Sequence, residues 1–120
     1  MLVLIVDDSK AMRMLVKRAL RQAGYGDVSI AEASNGAEAI EKVRELNPDL
    51  VLSDWHMPEM DGINLLENLK NEGTCPKFGF VTSESGPEMR TRAMSSGALF
   101  FISKPFTPEV IQESLSSYLG

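Results

Sequence analysis

The sequence predicts an α/β fold in which a parallel sheet of five strands is covered by helices on both faces. Five short apolar runs, most of them nearly continuous, are typical of strands that are buried on both sides. They occupy residues 2–6, 28–31, 50–53, 78–82 and 99–102. Segments with helical periodicity alternate with these runs, and the connections are short. Such alternation is the pattern of a parallel sheet with a helix after each strand.

Each helical segment has an apolar stripe and a recognisable boundary. The clearest stripe consists of Met12, Leu15, Val16, Ala19, Leu20 and Ala23. The basic residues between them are predicted to face water, and they are Arg13, Lys17, Arg18 and Arg21. Ser9 is placed to cap this helix and Gly24 to end it. The other helices are predicted after Asn35-Gly36, from about Gly62, before Gly97 and after Thr107-Pro108.

Length and composition limit the class of protein. A chain of 120 residues suits one compact domain, residues 1–120. The net charge of −5 argues against a surface for direct nucleic-acid binding, which needs a basic stripe. No apolar run approaches the roughly 20 residues that a membrane-spanning helix needs, so we expect no membrane insertion. The single cysteine, Cys75, cannot form an internal disulfide, which favours a cytoplasmic location.

Three carboxylates follow two strands that are neighbours in the order 2-1-3-4-5. Asp7 and Asp8 come directly after the first strand, and Asp54 comes after the third. In doubly wound sheets, ligands bind outside the carboxyl ends of the strands, where the strand order reverses. These carboxylates repel one another, so a bound cation would stabilise the cluster. Ligands that are all oxygen atoms favour Mg²⁺ over zinc.

The other strand ends carry groups that suit phosphoryl transfer. This reaction needs an in-line nucleophile together with donors or positive charge for the phosphoryl oxygens. Asp54 is the candidate nucleophile, and the fourth and fifth strands end near Thr82 and Lys104. Taken singly, these residues have plainer explanations: a helix cap at Asp7-Asp8, a strand-end hydroxyl and a solvated lysine. Their joint placement at the strand ends favours the phosphoryl-transfer interpretation.

With these residues, the chain resembles the CheY-like receiver domain of bacterial two-component response regulators. The matching segments are residues 6–9, 54–62, 82–84, 97–98 and 101–106. The resemblance extends over essentially the whole chain. It implies a flavodoxin-like, doubly wound (βα)5 three-layer sandwich with the parallel sheet order 2-1-3-4-5. It also implies intracellular two-component phosphorelay signalling, a class to which chemotaxis signalling belongs.

The resemblance also implies how the acceptor and the metal are arranged. Asp54 would accept a phosphoryl group from the phosphohistidine of a sensor histidine kinase or phosphotransfer protein. Asp8, Asp54 and the backbone carbonyl of His56 would bind Mg²⁺, and Asp7 would assist through water. Lys104 would pair with the acceptor carboxylate and then with the phosphoryl oxygens. The chain would catalyse only its own phosphorylation and autodephosphorylation, so it would not be an enzyme with a separate substrate.

A switch and an output surface are implied in the same way. Thr82 would hydrogen-bond the phosphoryl group, and Phe101 would be the aromatic residue that turns inward when Thr82 moves. The plainer explanation of Phe101 is a core aromatic residue on an edge strand. The peptide bond before Pro105 resembles one that is cis in the family. A downstream effector would bind the face formed by the fourth helix, the fifth strand and the fifth helix. Residues on that face are Arg90, Arg92, Phe100, Phe101 and Gln112.

Three positions depart from the common pattern or vary within it. Ser83 replaces an alanine that is common after the threonine, a small change that leaves the site open. His56 and Glu84 stand two residues after Asp54 and Thr82. We hypothesise that their side chains flank the path of the hydrolytic water and tune the dephosphorylation rate. The simpler interpretation of His56 is an exposed loop residue that contributes only its carbonyl.

Other functions fit the sequence less well. An aspartyl-phosphate phosphatase of another α/β fold needs a second acid two residues after the nucleophile, where this chain has His56. A flavin-binding module needs a phosphate loop after the first strand, where Asp7-Asp8 has the wrong charge. A degenerate receiver that serves only as a scaffold is disfavoured because every site residue is present. A free-standing receiver and one cut from a larger regulator or hybrid kinase both stay open.

Overall fold

A computed structural model of the chain describes residues 1–73, 75–83 and 86–119. Strands and helices alternate throughout this part of the chain, as the sequence predicted. The strands are β1 (Leu2–Val6), β2 (Ser29–Ala33), β3 (Leu50–Ser53), β4 (Lys77–Thr82) and β5 (Phe100–Ser103). The helices are α1 (Lys10–Gln22), α2 (Gly36–Leu46), α3 (Gly62–Asn71), α4 (Pro87–Ser95) and α5 (Pro108–Leu119). No helix in the described ranges combines the length and the apolar character needed to cross a membrane.

The five strands form one parallel sheet in the order β2-β1-β3-β4-β5, which confirms the predicted topology. Val6 is in register with Ala33 on β2 and with Ser53 on β3, so β1 and β3 end side by side. Successive residues of β1 point to opposite faces: Leu4 packs into a core with α2, α3 and α4, and Ile5 into a core with α1 and α5. The result is the predicted three-layer sandwich.

Three strands differ from their predicted ranges for a reason visible in the register: β2 and β5 differ at both ends, and β4 begins at Lys77, one residue before the predicted run. β2 was predicted over residues 28–31, but it spans Ser29–Ala33. The pairing of Ile5 with Glu32 and of Val6 with Ala33 extends it by two residues. β5 runs from Phe100 to Ser103, one residue later than the apolar run suggests. Backbone pairing to the neighbouring strand, rather than hydropathy, sets these ends.

The caps of α1 are where the sequence placed them, but two side chains on this helix are not. The N–H of Met12 donates to Oγ of Ser9 (3.3 Å), and Gly24 adopts φ = 98° after the helix. Leu15 is 50% exposed, although it was predicted to be buried. Arg13 was predicted to face water, but its side chain is only 14% exposed because it bends back to the end of β1. Both predictions were wrong.

Candidate functional site

The carboxyl ends of β1 and β3 bring three carboxylates together. The N–H of Asp54 donates to the carbonyl of Val6 (2.9 Å), which holds the first residue after β3 against the end of β1. Carboxylate oxygens of Asp7, Asp8 and Asp54 all lie within 4.8 Å of one another. Asp7 is buried, Asp54 is partly buried and Asp8 is exposed. The cluster therefore has a closed side at Asp7 and an open side at Asp8.

Lys104 brings a positive charge to this cluster from the end of β5. Its Nζ lies 3.0 Å from Oδ2 of Asp7 and 3.5 Å from Oδ2 of Asp54. Its backbone N–H donates to the carbonyl of Thr82 (2.8 Å), and the Lys104-Pro105 peptide bond is cis, as the resemblance implied. The closer partner is Asp7, whereas the family resemblance implied Asp54. One ammonium group thus serves two of the three carboxylates.

Both side-chain oxygens of Asp7 are engaged. The N–H of Ser9 donates to Oδ1 (2.9 Å), and Lys104 approaches Oδ2. Hydrogen bonds to both oxygens fix the orientation of a carboxylate and leave it less able to bind a cation directly. This arrangement suits a carboxylate that acts on a bound cation through water, whereas Asp8 and Asp54 are more open.

The acceptor candidate, Asp54, is held by the loop that follows it. Its Oδ1 accepts the N–H of Trp55 (2.7 Å), while Oδ2 faces Lys104. The carbonyl of Trp55 accepts the N–H of Gly62 (2.7 Å), which closes the loop onto the start of α3. A Cβ atom at position 62 would overlap the backbone carbonyl of Asp54 and approach the ring of Phe80. Glycine is required here because of this close approach.

The other predicted site residues lie at the same edge of the sheet. Thr82 is the last residue of β4, is fully buried and is in register with Ser103. His56 lies in the loop between β3 and α3 with an exposed side chain. Glu84 lies outside the described residues, so the hypothesis about the path of the hydrolytic water stays a prediction. The same holds for the individual roles of Thr82 and His56.

Phe101 is buried in an aromatic cluster directly behind the site. Its ring centroid lies 6.4 Å from that of Trp55 and 6.2 Å from that of Phe80, and the rings of Trp55 and Phe80 are 5.0 Å apart. The guanidinium carbon of Arg92 on α4 lies 6.0 Å from the centroid of the Trp55 ring. Trp55, which lies in the loop directly after Asp54, therefore contacts both the predicted switch residue Phe101 and Arg92 of α4.

The predicted output surface needs one correction. Phe100 and Phe101 are only 7% and 6% exposed, so neither is a surface residue. Consecutive residues of a strand point to opposite faces, and both faces of β5 are covered: Phe101 lies on the side of α4, and Phe100 lies beside Tyr118 of α5. Arg90, Arg92 and Gln112 are exposed, as predicted.

A network that the sequence pattern did not predict joins α1, β2 and the end of β1. Nη1 of Arg13 donates to the carbonyl of Asp7 (2.6 Å), and Nε donates to the carboxylate of Glu32 (2.9 Å). Lys17 donates to the other oxygen of Glu32 (3.1 Å). Burial disfavours the charged form of Glu32, but the hydrogen bonds from Lys17 and Arg13 outweigh it and lower its pKa. The sequence contains one signal for this network, which is the position of Arg13 one helical turn after the Ser9 cap.

The donor set of the cluster fits a hard divalent cation. Its three candidate ligands are all carboxylates, whereas zinc prefers sulfur or imidazole nitrogen. Lys104 offsets part of the negative charge, and the exposed Asp8 leaves room for water on the cation. Mg²⁺ typically uses one or two carboxylates and keeps several waters, so these residues can hold it.

The chain is similar in sequence and in fold to known proteins. The family model of the response regulator receiver domain matches residues 3–116. Chemotaxis protein CheY1 of Helicobacter pylori is 38% identical over 124 aligned positions, which cover 100% of this chain and 98% of that protein. Chemotaxis protein CheY of Bacillus subtilis is 40% identical over 118 positions, with 98% and 97% covered. The structure of Vibrio cholerae CheY4 superposes with a TM-score of 0.85 at 31% identity, with 98% of each chain covered.

Proposed function

Because this chain belongs to the response regulator receiver domain family, we propose that it is a phosphorylation-controlled signalling module whose acceptor is Asp54. The observation that carries this proposal is the convergence of three carboxylates and Lys104 at one edge of the sheet. Residues 1–120 would form a single receiver domain. We place it in the cytoplasm, where a lone cysteine stays reduced.

The phosphoryl donor in this proposal is the phosphohistidine of a sensor histidine kinase or phosphotransfer protein. A carboxylate oxygen of Asp54 attacks the phosphorus, and the bond between phosphorus and the imidazole nitrogen breaks with its electron pair on the nitrogen. Lys104 stabilises the negative charge on the phosphoryl oxygens, because its ammonium already lies 3.5 Å from Oδ2 of Asp54. Mg²⁺, held by Asp8, Asp54 and the carbonyl of His56 with Asp7 acting through water, would supply further positive charge to these oxygens.

The phosphoryl group would be removed by hydrolysis on the same residue. Water attacks the phosphorus, the acyl phosphate bond between phosphorus and Asp54 breaks, and inorganic phosphate leaves. The chain therefore turns over no separate substrate. Its output is a change in its own binding surface. The side chains of His56 and Glu84 would set how readily water reaches the phosphorus.

Transmission of the signal would begin at Thr82. A phosphoryl group adds about two negative charges and three acceptor oxygens, which the Thr82 hydroxyl can answer with a hydrogen bond. The movement of Thr82 would favour an inward position of Phe101, and the buried ring seen here is the arrangement that phosphorylation would stabilise. An effector would then bind the face of α4, β5 and α5, where Arg90, Arg92 and Gln112 are exposed. The relatives named above are chemotaxis proteins, so we propose a chemotaxis-type signal for this chain as well.

The test uses intact mass and the emission of Trp55, which lies next to Asp54 and is buried. Acetyl phosphate with Mg²⁺ should add one phosphoryl group to the wild-type chain and change the emission. Asp54→Asn should abolish both responses, because an amide is not a nucleophile for this reaction. Asp49→Asn is the matched control, since Asp49 precedes the other end of the same strand. Phosphorylation of Asp54→Asn at the wild-type rate would contradict the proposal.

A further inference from the structure

Arg13 connects α1 and β2 to the backbone of the acidic site. Its guanidinium group donates to the carbonyl of Asp7 (2.6 Å) and to the carboxylate of Glu32 (2.9 Å), and the side chain is 14% exposed. The planar guanidinium presents several donors in a fixed geometry, so it can bind two oxygens on different strands at once. A lysine ammonium has no such fixed fork.

The carbonyl that Arg13 binds lies just beyond the sheet. The register of β1 with both neighbouring strands ends at Val6. The N–H of Asp7 still donates to the carbonyl of Ala33 (3.1 Å), but the carbonyl of Asp7 is past the ladder. Because Asp7 is buried, this carbonyl needs a donor from within the protein. Arg13 supplies it, with the added strength of a charged donor.

The hydrogen bond from Arg13 constrains the peptide unit that joins Asp7 to Asp8, two of the three residues of the cluster. The Asp7 carbonyl belongs to the planar peptide unit that leads into Asp8, so its direction sets the position of the Asp8 backbone. The side chain of Asp7 is fixed separately by Ser9 and Lys104. Arg13 thus constrains the backbone that leads into Asp8, the exposed member of the cluster.

We infer that Arg13, anchored by Glu32, is a positioning residue for the cation-binding carboxylates of Asp7 and Asp8. The inference rests on the proposed function, in which the cluster binds Mg²⁺. Charge and position act in opposite directions here. A nearby cation by itself weakens Mg²⁺ binding, so its removal should tighten binding, whereas the loss of a positioning hydrogen bond should weaken it. The sign of the change distinguishes the two roles.

The experiment is a Mg²⁺ titration of the full chain, followed by Trp55 emission and by calorimetry. In Arg13→Met, we expect Kd for Mg²⁺ to rise about tenfold, the lower end of the effect of removing outer-shell partners of metal ligands. Lys17→Met is the matched control, because Lys17 binds the same Glu32 carboxylate from the same helix. Its Kd should stay at the wild-type value. At saturating Mg²⁺, the phosphorylation rate of Arg13→Met should return to that of wild type.

Two results would overturn the inference. One is a folded Arg13→Met chain with an unchanged or lower Kd, and the other is an equal rise in Lys17→Met. If Arg13→Met does not fold, Arg13→Lys takes its place, with a smaller rise expected and a wild-type Kd contradicting the role. A wild-type chain that does not bind Mg²⁺ would instead refute the proposed function, so the two failures are distinguishable.

Discussion

Replacing Lys104 with methionine removes the ammonium group from a site in which two carboxylates are mostly buried. Nζ lies 3.0 Å from Asp7 and 3.5 Å from Asp54, and the three side chains are 13%, 4% and 12% exposed. Methionine keeps much of the apolar length of the side chain but not the charge. The folded state then loses an attraction and keeps the repulsion among the carboxylates, so it should be less stable than the wild-type protein.

The expected loss follows from the burial of the pair. Breaking a buried ion pair by removing one partner costs about 3–5 kcal/mol. Water on the open side at Asp8 reduces this, so we expect the free energy of unfolding to fall by about 3 kcal/mol at neutral pH without metal. For a domain of this size, that corresponds to a decrease in Tm of roughly 10 °C.

Urea unfolding followed by circular dichroism measures this loss, with and without Mg²⁺. Lys70→Met is the control, because Lys70 is exposed and its ammonium donates only to the Ser96 carbonyl in the described structure (2.9 Å). We expect Mg²⁺ to stabilise Lys104→Met more than wild type, since a cluster without its ammonium attracts the cation more strongly. The reasoning is refuted if Lys104→Met is as stable as Lys70→Met, or if Mg²⁺ stabilises variant and wild type equally.

Three further predictions concern stability, and urea unfolding measures each. Glu59 has φ = 70°, so Glu59→Asn should raise the free energy of unfolding by about 0.5–1 kcal/mol, and a decrease would contradict the backbone argument. A Cβ atom at Gly79 would overlap the ring of Phe100, so Gly79→Ala should lower the free energy of unfolding by about 2 kcal/mol. Gly26 has open space around it, so the control Gly26→Ala should change the free energy of unfolding by less than about 0.5 kcal/mol. The folded-state pKa of Glu32 is lowered from 4.5, so its contribution is present above that value and is lost as pH falls through the folded pKa. The stability difference between wild type and Glu32→Gln should therefore shrink from about pH 5 to pH 3, and a constant difference would argue against the ion pairs as its source.

The convergence of the acidic cluster was predictable because strand ends in a parallel sheet share one edge. Asp7, Asp8 and Asp54 follow apolar runs that hydropathy identifies, and the strand order places β1 beside β3. Lys104 was predictable for the same reason. Its preference for Asp7 over Asp54 was not, because it depends on differences of half an ångström between side chains.

Arg13 and Phe100 are two residues that were wrongly placed at the surface, for different reasons. Helical periodicity assigns a residue to a face, but a long arginine side chain can leave that face and satisfy a distant carbonyl. Arg13 does so at the Asp7 carbonyl. Phe100 and Phe101 belong to an apolar run that predicts burial on both faces, but the family resemblance led us to place them on the output surface. The packing of α4 and α5 shows that both faces are covered.

The position of Trp55 links the site to the surface that the family resemblance assigns to output. Its N–H holds one oxygen of Asp54, and its ring contacts Phe101 and lies beneath the guanidinium group of Arg92 on α4. A change in the charge or geometry of the Asp54 carboxylate therefore alters the hydrogen bond that orients the Trp55 backbone. Because the ring of Trp55 is also packed against Phe80, a shift of that backbone would disturb its contacts with Phe101 and with Arg92 on α4. These contacts are separate from the backbone hydrogen bond in which the N–H of Lys104 donates to the carbonyl of Thr82.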